Sequence, residues 1–221
     1  MIDFAPRSLL YVPGSNARAL EKAQGLAADM LIVDLEDAVP ADRKEEARAA
    51  MRAAVAAGFP GKRIAVRING TGSEHQAADI NAVAGLRLDA VVLPKVDAIA
   101  DLEPARGLGL PLLAMIETPT AIYAAREIAG DPAVAGLIAG LNDLAYELKL
   151  PDGMDRGAMN HAIQAIVLAA RVDGAKAALH GSTCDGWISV LPSNPSLRPS
   201  AASVAKPVSY THLTLPTTER V

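Results

Sequence analysis

The stretch from Leu112 to Pro119, Leu-Leu-Ala-Met-Ile-Glu-Thr-Pro, constrains this chain more than any other. An unbroken apolar run suits a parallel strand buried on both faces, and it delivers a single carboxylate, Glu117, to its C-terminal end. Proline at the first position of a helix forfeits no hydrogen bond, so Pro119 predicts that a helix opens there. The run from Val134 to Asp143 repeats the plan, with Gly136 and Gly140 allowing close backbone approach before Asp143. As neighbouring parallel strands, the two runs would face Glu117 and Asp143 across one cleft.

The preceding sequence has the same rhythm. Strands are predicted over Ser8–Val12, Met30–Leu35, Arg63–Ile68 and Ala90–Leu93. Between them, Asn16 caps a helix reaching Asp29, and a helix from Pro40 to Ala57 is stopped by Gly58. Ser73 and Gln76 form a capping box for a third helix, and Asp155–Asp173 forms a long one. Such alternation predicts an α/β fold with a parallel sheet. Polar residues at each strand's C-terminal end favour a (β/α)8 TIM barrel, whose active site is built from those ends. An open doubly wound sheet would announce a glycine-rich phosphate loop after the first strand, and Pro13-Gly14-Ser15-Asn16 is a turn of another kind.

After about Ala178 the pattern lapses. Residues 186–221 hold one acidic residue, Glu219, among many Ser, Thr and Pro, and only Lys176–Leu179 could begin a seventh strand. The expectation is an incomplete barrel domain over residues 1–180, with strands seven and eight missing or unlike the others. Residues 181–221 are then a tail, disordered or extraneous, and strand one keeps an open edge.

Net charge is −4 and only 3% of residues are aromatic, which argues against a nucleic-acid partner. Cys184 is the single cysteine, so there is no internal disulfide framework and no thiolate metal cluster. The N-terminus lacks a signal-peptide pattern and no apolar run approaches ~20 residues, so a cytoplasmic protein without a membrane partner is expected.

Candidate chemistry gathers at the strand ends. Glu117 and Asp143 either cap the helices that follow them or hold a hard cation such as Mg²⁺. Arg67, set among apolar strand residues, either grips a substrate carboxylate or pairs with Glu36 or Asp37. Asp34 and Glu36 share a face, Asp37 belongs to the turn, and at least one of them should meet Arg67 or Lys95. Lys95, beside several carboxylates, reads as ionised and structural rather than as a Schiff-base lysine. His75, His161, His180 and His212 lack metal-ligand spacing, and Ser15 and Cys184 lack a histidine-acid partnership for nucleophilic catalysis.

Six motifs in order, Arg7–Gly14, Asp34–Val39, Val66–Asn69, Leu93–Val96, Ile116–Pro119 and Gly140–Leu144, resemble the citrate lyase beta-subunit-like family of the HpcH/HpaI aldolase superfamily. The resemblance covers about residues 6–178. It implies a (β/α)8 barrel, usually a homotrimer, that uses Mg²⁺ (or Mn²⁺) to cleave or form 3-hydroxyacyl thioesters of coenzyme A or an acyl carrier protein. The products are an acyl thioester and a 2-oxo acid or glyoxylate. By position it implies Glu117 and Asp143 as metal ligands and Arg67 as the substrate-binding arginine, with Glu36 and Asp37 beside it in the catalytic group. Backbone at Gly140, Leu141 and Asn142 would meet the substrate carboxylate, and Arg7 the carrier's phosphates. A pyruvate aldolase, a thioester hydrolase and a remnant that binds without turnover are the alternatives.

Overall fold

The computed structural model describes residues 6, 8–151, 156–172, 177–181 and 187–190, and for residues 156, 177–181 and 187–190 the backbone alone. Strands and helices alternate: β1 (Ser8–Pro13), α1 (Ala17–Ala23), β2 (Met30–Asp34), α2 (Lys44–Ala57), β3 (Arg63–Arg67), α3 (Gln76–Val83), β4 (Ala90–Leu93), α4 (Glu103–Arg106), β5 (Leu112–Ile116), α5 (Pro119–Gly130), β6 (Val134–Ala139), α6 (Leu141–Glu147), α7 (Asn160–Val172), β7 (Ala177–Gly181) and β8 (Trp187–Val190). Strands β1 to β6 lie side by side in chain order, all parallel, and curl into a barrel wall. The expected α/β class with a parallel sheet is therefore present.

The closing strands depart from an eightfold βα repeat. β7 continues the parallel order against β6, whereas β8 runs antiparallel to both β7 and β1, with Ser189 opposite His180 on one side and Ser8 on the other. Only residues 182–186 separate β7 from β8. A parallel return needs a crossover of a dozen or more residues, so a connection this short dictates an antiparallel pair. Strand one thus has a closing neighbour, contrary to the open edge expected from the sequence. The expected boundary between residues 180 and 181 falls within β7, and of the tail beyond it only Gly181 and residues 187–190 are described.

Two apolar layers follow from the period of two along each strand. Leu9, Met30, Ile32, Ala65, Ala90, Val92, Leu113, Met115 and Ile138 fill the barrel interior, with Tyr11 packed on them. The alternate residues, such as Leu10, Leu31, Val33, Val66, Val91, Leu112 and Leu137, pack outward against the helices. Continuing the inward parity past the apolar filling gives Asp34 after Ile32, Arg67 after Ala65, Glu117 after Met115 and Gly140 after Ile138. The same alternation that builds the core therefore brings these residues to the barrel's C-terminal mouth.

Several helix starts differ from the sequence reading. Asn16 caps α1 as expected, accepting from the Ala19 N–H at 3.0 Å, but the helix ends at Ala23. The expected Ser73/Gln76 capping box is absent: α3 begins at Gln76, the Ser73 hydroxyl accepts from the His75 N–H, and the Gln76 amide reaches Thr71. A 3₁₀ turn at Ala41–Arg43 precedes α2, and another at Arg156–Met159 precedes α7.

Candidate functional site

Glu117 follows β5 directly and is buried, with 2% of its surface exposed. It does not cap α5, because Thr118 does: its hydroxyl accepts from the Ala121 N–H at 3.0 Å and also reaches Asp97. Glu117 instead accepts the Lys95 N–H on Oε1 at 2.6 Å and packs over Gly140, where a Cβ would stand 2.2 Å from Oε2. Glycine there is a cradle for the carboxylate. Burial drives the Glu117 carboxyl up to about 7; the Lys95 N–H and Arg67 pull it down, while Asp143 and Glu36 push with the burial.

Asp143 lies elsewhere than expected. It sits in the first turn of α6, two residues inside the helix, and not at the end of β6. It remains at the mouth, where its Oδ2 is 3.8 Å from the Lys95 ammonium. The same ammonium donates to Glu36 Oε1 at 3.2 Å, so Lys95 contacts all three carboxylates, Glu117 through its backbone and the other two through its side chain. Lys95 is an ion-pair residue, as read from the sequence.

Arg67 pairs internally, chiefly with Asp34 and less closely with Glu36 and Asp37. Its Nε and Nη2 donate to the two oxygens of Asp34 at 2.7 and 2.6 Å in a bidentate fork. Nη1 lies 3.0 Å from Glu36 Oε2 and 3.6 Å from Asp37 Oδ2, and the guanidinium stands over the Tyr11 ring at 5.0 Å from its centroid. Although burial disfavours the charge, the Asp34 bonds outweigh it and hold Arg67 firmly protonated. Asp34 is in turn fixed by the Glu36 and Ala38 N–H groups. Glu36 is buried, and burial raises its carboxyl above the ordinary range against the pull of Arg67; its Oε2 makes no hydrogen bond.

Sequence reading missed the scaffold behind Glu36. Lys44, buried on the first turn of α2, donates from Nζ to Leu35 O, Glu36 O and Asn69 Oδ1 at 2.7, 2.9 and 2.8 Å. Asn69 accepts there while its own N–H donates to Asp79 at 2.8 Å, and Arg48 closes the chain on Asp79 at 2.9 Å. Lys44 and Arg48 stand among the charges Asp42, Arg43, Glu45 and Glu46, a run whose pattern alone suits a solvated helix face, and only the helix's rotation turns them inward. Tyr11 was equally hidden, since nothing local distinguishes it from a core aromatic.

Of the backbone donors expected near the substrate, the Gly140 N–H is committed to Ile116 O at 3.1 Å. Those of Leu141 and Asn142 lie in the first turn of α6, where helix geometry supplies no carbonyl partner. Arg7 lies outside the described residues.

The donor set suits a hard cation: two carboxylates meet at the mouth, one of them buried and short of compensating charge. Among the described residues no cluster of three or more His, Cys, Asp or Glu could hold a metal. Mg²⁺ is typically held by one or two carboxylates with water and substrate oxygens completing its shell, which this pair matches. No helix among the described residues is long and apolar enough to cross a membrane.

A parallel α/β barrel wall whose inward strand ends carry a buried carboxylate and a clamped arginine defines a class of barrel with a polar, charge-lined mouth. Within that class, the chain belongs to the HpcH/HpaI aldolase/citrate lyase family, whose model matches residues 7–180. It is 47% identical over 171 residues to a (3S)-malyl-CoA thioesterase of Cereibacter sphaeroides, and 33% identical over 186 residues to a citrate lyase subunit beta-like protein of Deinococcus radiodurans. These alignments cover 76% and 77% of this chain but 60% and 64% of the relatives, so the chain spans under two thirds of their length. Its fold is similar to that of a Mycobacterium tuberculosis citrate lyase beta subunit complexed with oxaloacetate and magnesium, at TM-score 0.70 and 32% identity, covering 80% of this chain and 78% of that one. It is also similar to the M. tuberculosis protein CitE in complex with magnesium, acetoacetate and coenzyme A, at TM-score 0.69 and 33% identity, covering 80% and 66%.

Proposed function

We propose that this protein is a Mg²⁺-dependent carbon–carbon lyase that cleaves, or forms, a 3-hydroxyacyl thioester of coenzyme A, interconverting it with an acyl thioester and a 2-oxo acid or glyoxylate. The observation that carries the reading is the convergence of Glu117, Asp143 and the Asp34-clamped Arg67 at one end of the barrel interior. Magnesium-bound relatives of the same fold support the cation, and a coenzyme A complex supports the carrier. Assembly as a homotrimer, a cytoplasmic setting and a full (β/α)8 plan in longer relatives belong to the same reading.

Cleavage must remove the proton of the 3-hydroxyl and stabilise charge on the oxygens of the departing pieces. Glu117 and Asp143 would hold the cation, which when bound supplies a Lewis acid for the hydroxyl and carboxylate oxygens. Arg67 is held by the Asp34 fork, and its Nη1 edge, 3.0 Å from Glu36 Oε2, would take a substrate carboxylate in exchange for that contact. Glu36, whose Oε2 faces Arg67 and whose Oε1 faces Lys95, would take the hydroxyl proton on exchanging one of those contacts for substrate, and the exposed Asp37 flanks it. The Leu141 and Asn142 N–H groups supply donors for the oxo-acid carboxylate.

Thioester hydrolysis is the second reading, favoured by the 47% identity to a malyl-CoA thioesterase. Incubation with malyl-, citramalyl- and citryl-CoA plus Mg²⁺ separates the two: a lyase yields an oxo acid and no free thiol, whereas a hydrolase yields free coenzyme A. Turnover that survives Glu117→Ala and Asp143→Ala would refute the site. Cation binding with no turnover of any thioester would refute the enzyme reading in favour of a binding protein.

A further inference from the structure

Lys95 stands on β4's exit turn with a backbone φ of +52°, one of two described non-glycine residues, with Lys149, at positive φ. That conformation is unfavourable for a residue with a Cβ, and glycine would adopt it without strain. The turn alone therefore does not call for lysine; what lysine adds is its ammonium. The bent backbone aims the Lys95 N–H at Glu117 Oε1, 2.6 Å away, while the half-exposed side chain folds back over the mouth. There its Nζ sits 3.2 Å from Glu36 Oε1 and 3.8 Å from Asp143 Oδ2.

A unit positive charge 3.8 Å from Asp143 Oδ2 would repel a divalent cation held by that carboxylate and Glu117. We propose that Lys95 is the positioning and charge-balancing residue of the mouth: its strained N–H fixes Glu117, and its ammonium neutralises Asp143 until a divalent cation displaces it. The inference rests on Glu117 and Asp143 being the cation ligands. It makes cation binding an exchange of one positive charge for two, so removing the ammonium strengthens binding by abolishing a repulsion across a few ångströms.

The test is Mn²⁺ binding to the purified chain, read as loss of the free-ion signal in electron paramagnetic resonance. Lys95→Met and Lys95→Gln are expected to bind Mn²⁺ roughly tenfold more tightly than wild type. Lys95→Arg, which restores the charge, should stay within about twofold of it. The metal-free neutral variants should also melt lower than wild type and regain the difference with Mn²⁺, a pattern that a merely structural lysine would not give. Equal or weaker binding by both neutral variants overturns the proposal. Should neither fold, the wild-type chain with carbon-13-methylated lysines decides: the signal missing from Lys95→Arg must shift on adding Mg²⁺, and a signal that does not move overturns the proposal. If Asp143→Asn binds Mn²⁺ as wild type does, the ligand reading falls and takes this inference with it. If Asp143→Asn loses binding while the Lys95 variants match wild type, the inference alone falls.

Discussion

Replacing Gly140 by alanine tests how tightly the carboxylate cradle is built. The backbone poses no obstacle, because Gly140 has φ −85° and ψ 78°. The obstacle is Glu117: the new methyl would lie 2.2 Å from Oε2, 2.5 Å from Cβ and 3.1 Å from Cδ. Rotating the Glu117 side chain relieves the first contact but not the second, since Cβ is fixed by the β5 backbone. The strands must therefore separate where the Gly140 N–H bonds Ile116 O at 3.1 Å. Overpacking of this kind costs about 1–3 kcal/mol, which in a chain of this length lowers the melting temperature by about 2–12 °C. Displacing Glu117 should also weaken Mn²⁺ binding at least about tenfold, since cation coordination depends on ligand placement. Differential scanning calorimetry of the metal-free protein and a Mn²⁺ isotherm measure both effects. A Gly140→Ala variant that melts and binds as wild type does would refute the claim that the missing Cβ holds Glu117 in place.

Arg67→Lys keeps the charge but loses the fork on Asp34, so turnover should fall at least ~10-fold with the fold retained, a charge-assisted contact being worth about 1.5–3 kcal/mol; unchanged kinetics on malyl-, citramalyl- and citryl-CoA would reject its role. Lys44→Met strands three buried acceptors, Leu35 O, Glu36 O and Asn69 Oδ1, and should destabilise the protein by about 1–3 kcal/mol in urea denaturation, where an unchanged midpoint would disprove the scaffold. Burial raises the Glu36 carboxyl above its ordinary 4.5, so the folded state holds that proton more tightly than the unfolded chain. The resulting stabilisation is full below the unfolded value and is lost as pH rises through the folded one, so Glu36→Gln should gain stability relative to wild type as pH rises above the unfolded value. A difference between the two proteins that does not vary with pH would contradict this.

Local sequence was sufficient for the strands β1 to β6, because an apolar run bounded by Pro, Gly or charge has few other folds open to it. It also marked Glu117 and Arg67, since a charge ending or interrupting such a run must be either paired or used. Helix ends were less legible: α1 stops at Ala23 and α3 starts at Gln76, because competing local hydrogen bonds, such as Ser73 to the His75 N–H and Gln76 to Thr71, differ little in energy from the capping pattern.

What the sequence determined by itself is the alternation of strand and helix and the inward parity of Asp34, Arg67 and Glu117, because a period of two is a property of the strand alone. Tertiary structure decided which charges meet. Arg67 takes Asp34 in its bidentate fork, with Glu36 and Asp37 as the looser contacts, because parallel register places Asp34 opposite Arg67 across β2 and β3. Lys44 and Lys95 have equivalent ammonium groups, yet one is buried as a scaffold and the other bridges the mouth. That difference arises from the rotation of α2 against the sheet and from the bend at Lys95, long-range geometry that no local pattern encodes. The antiparallel β8 was likewise beyond local signals, because a four-residue strand forms only when neighbours on both sides offer it hydrogen bonds.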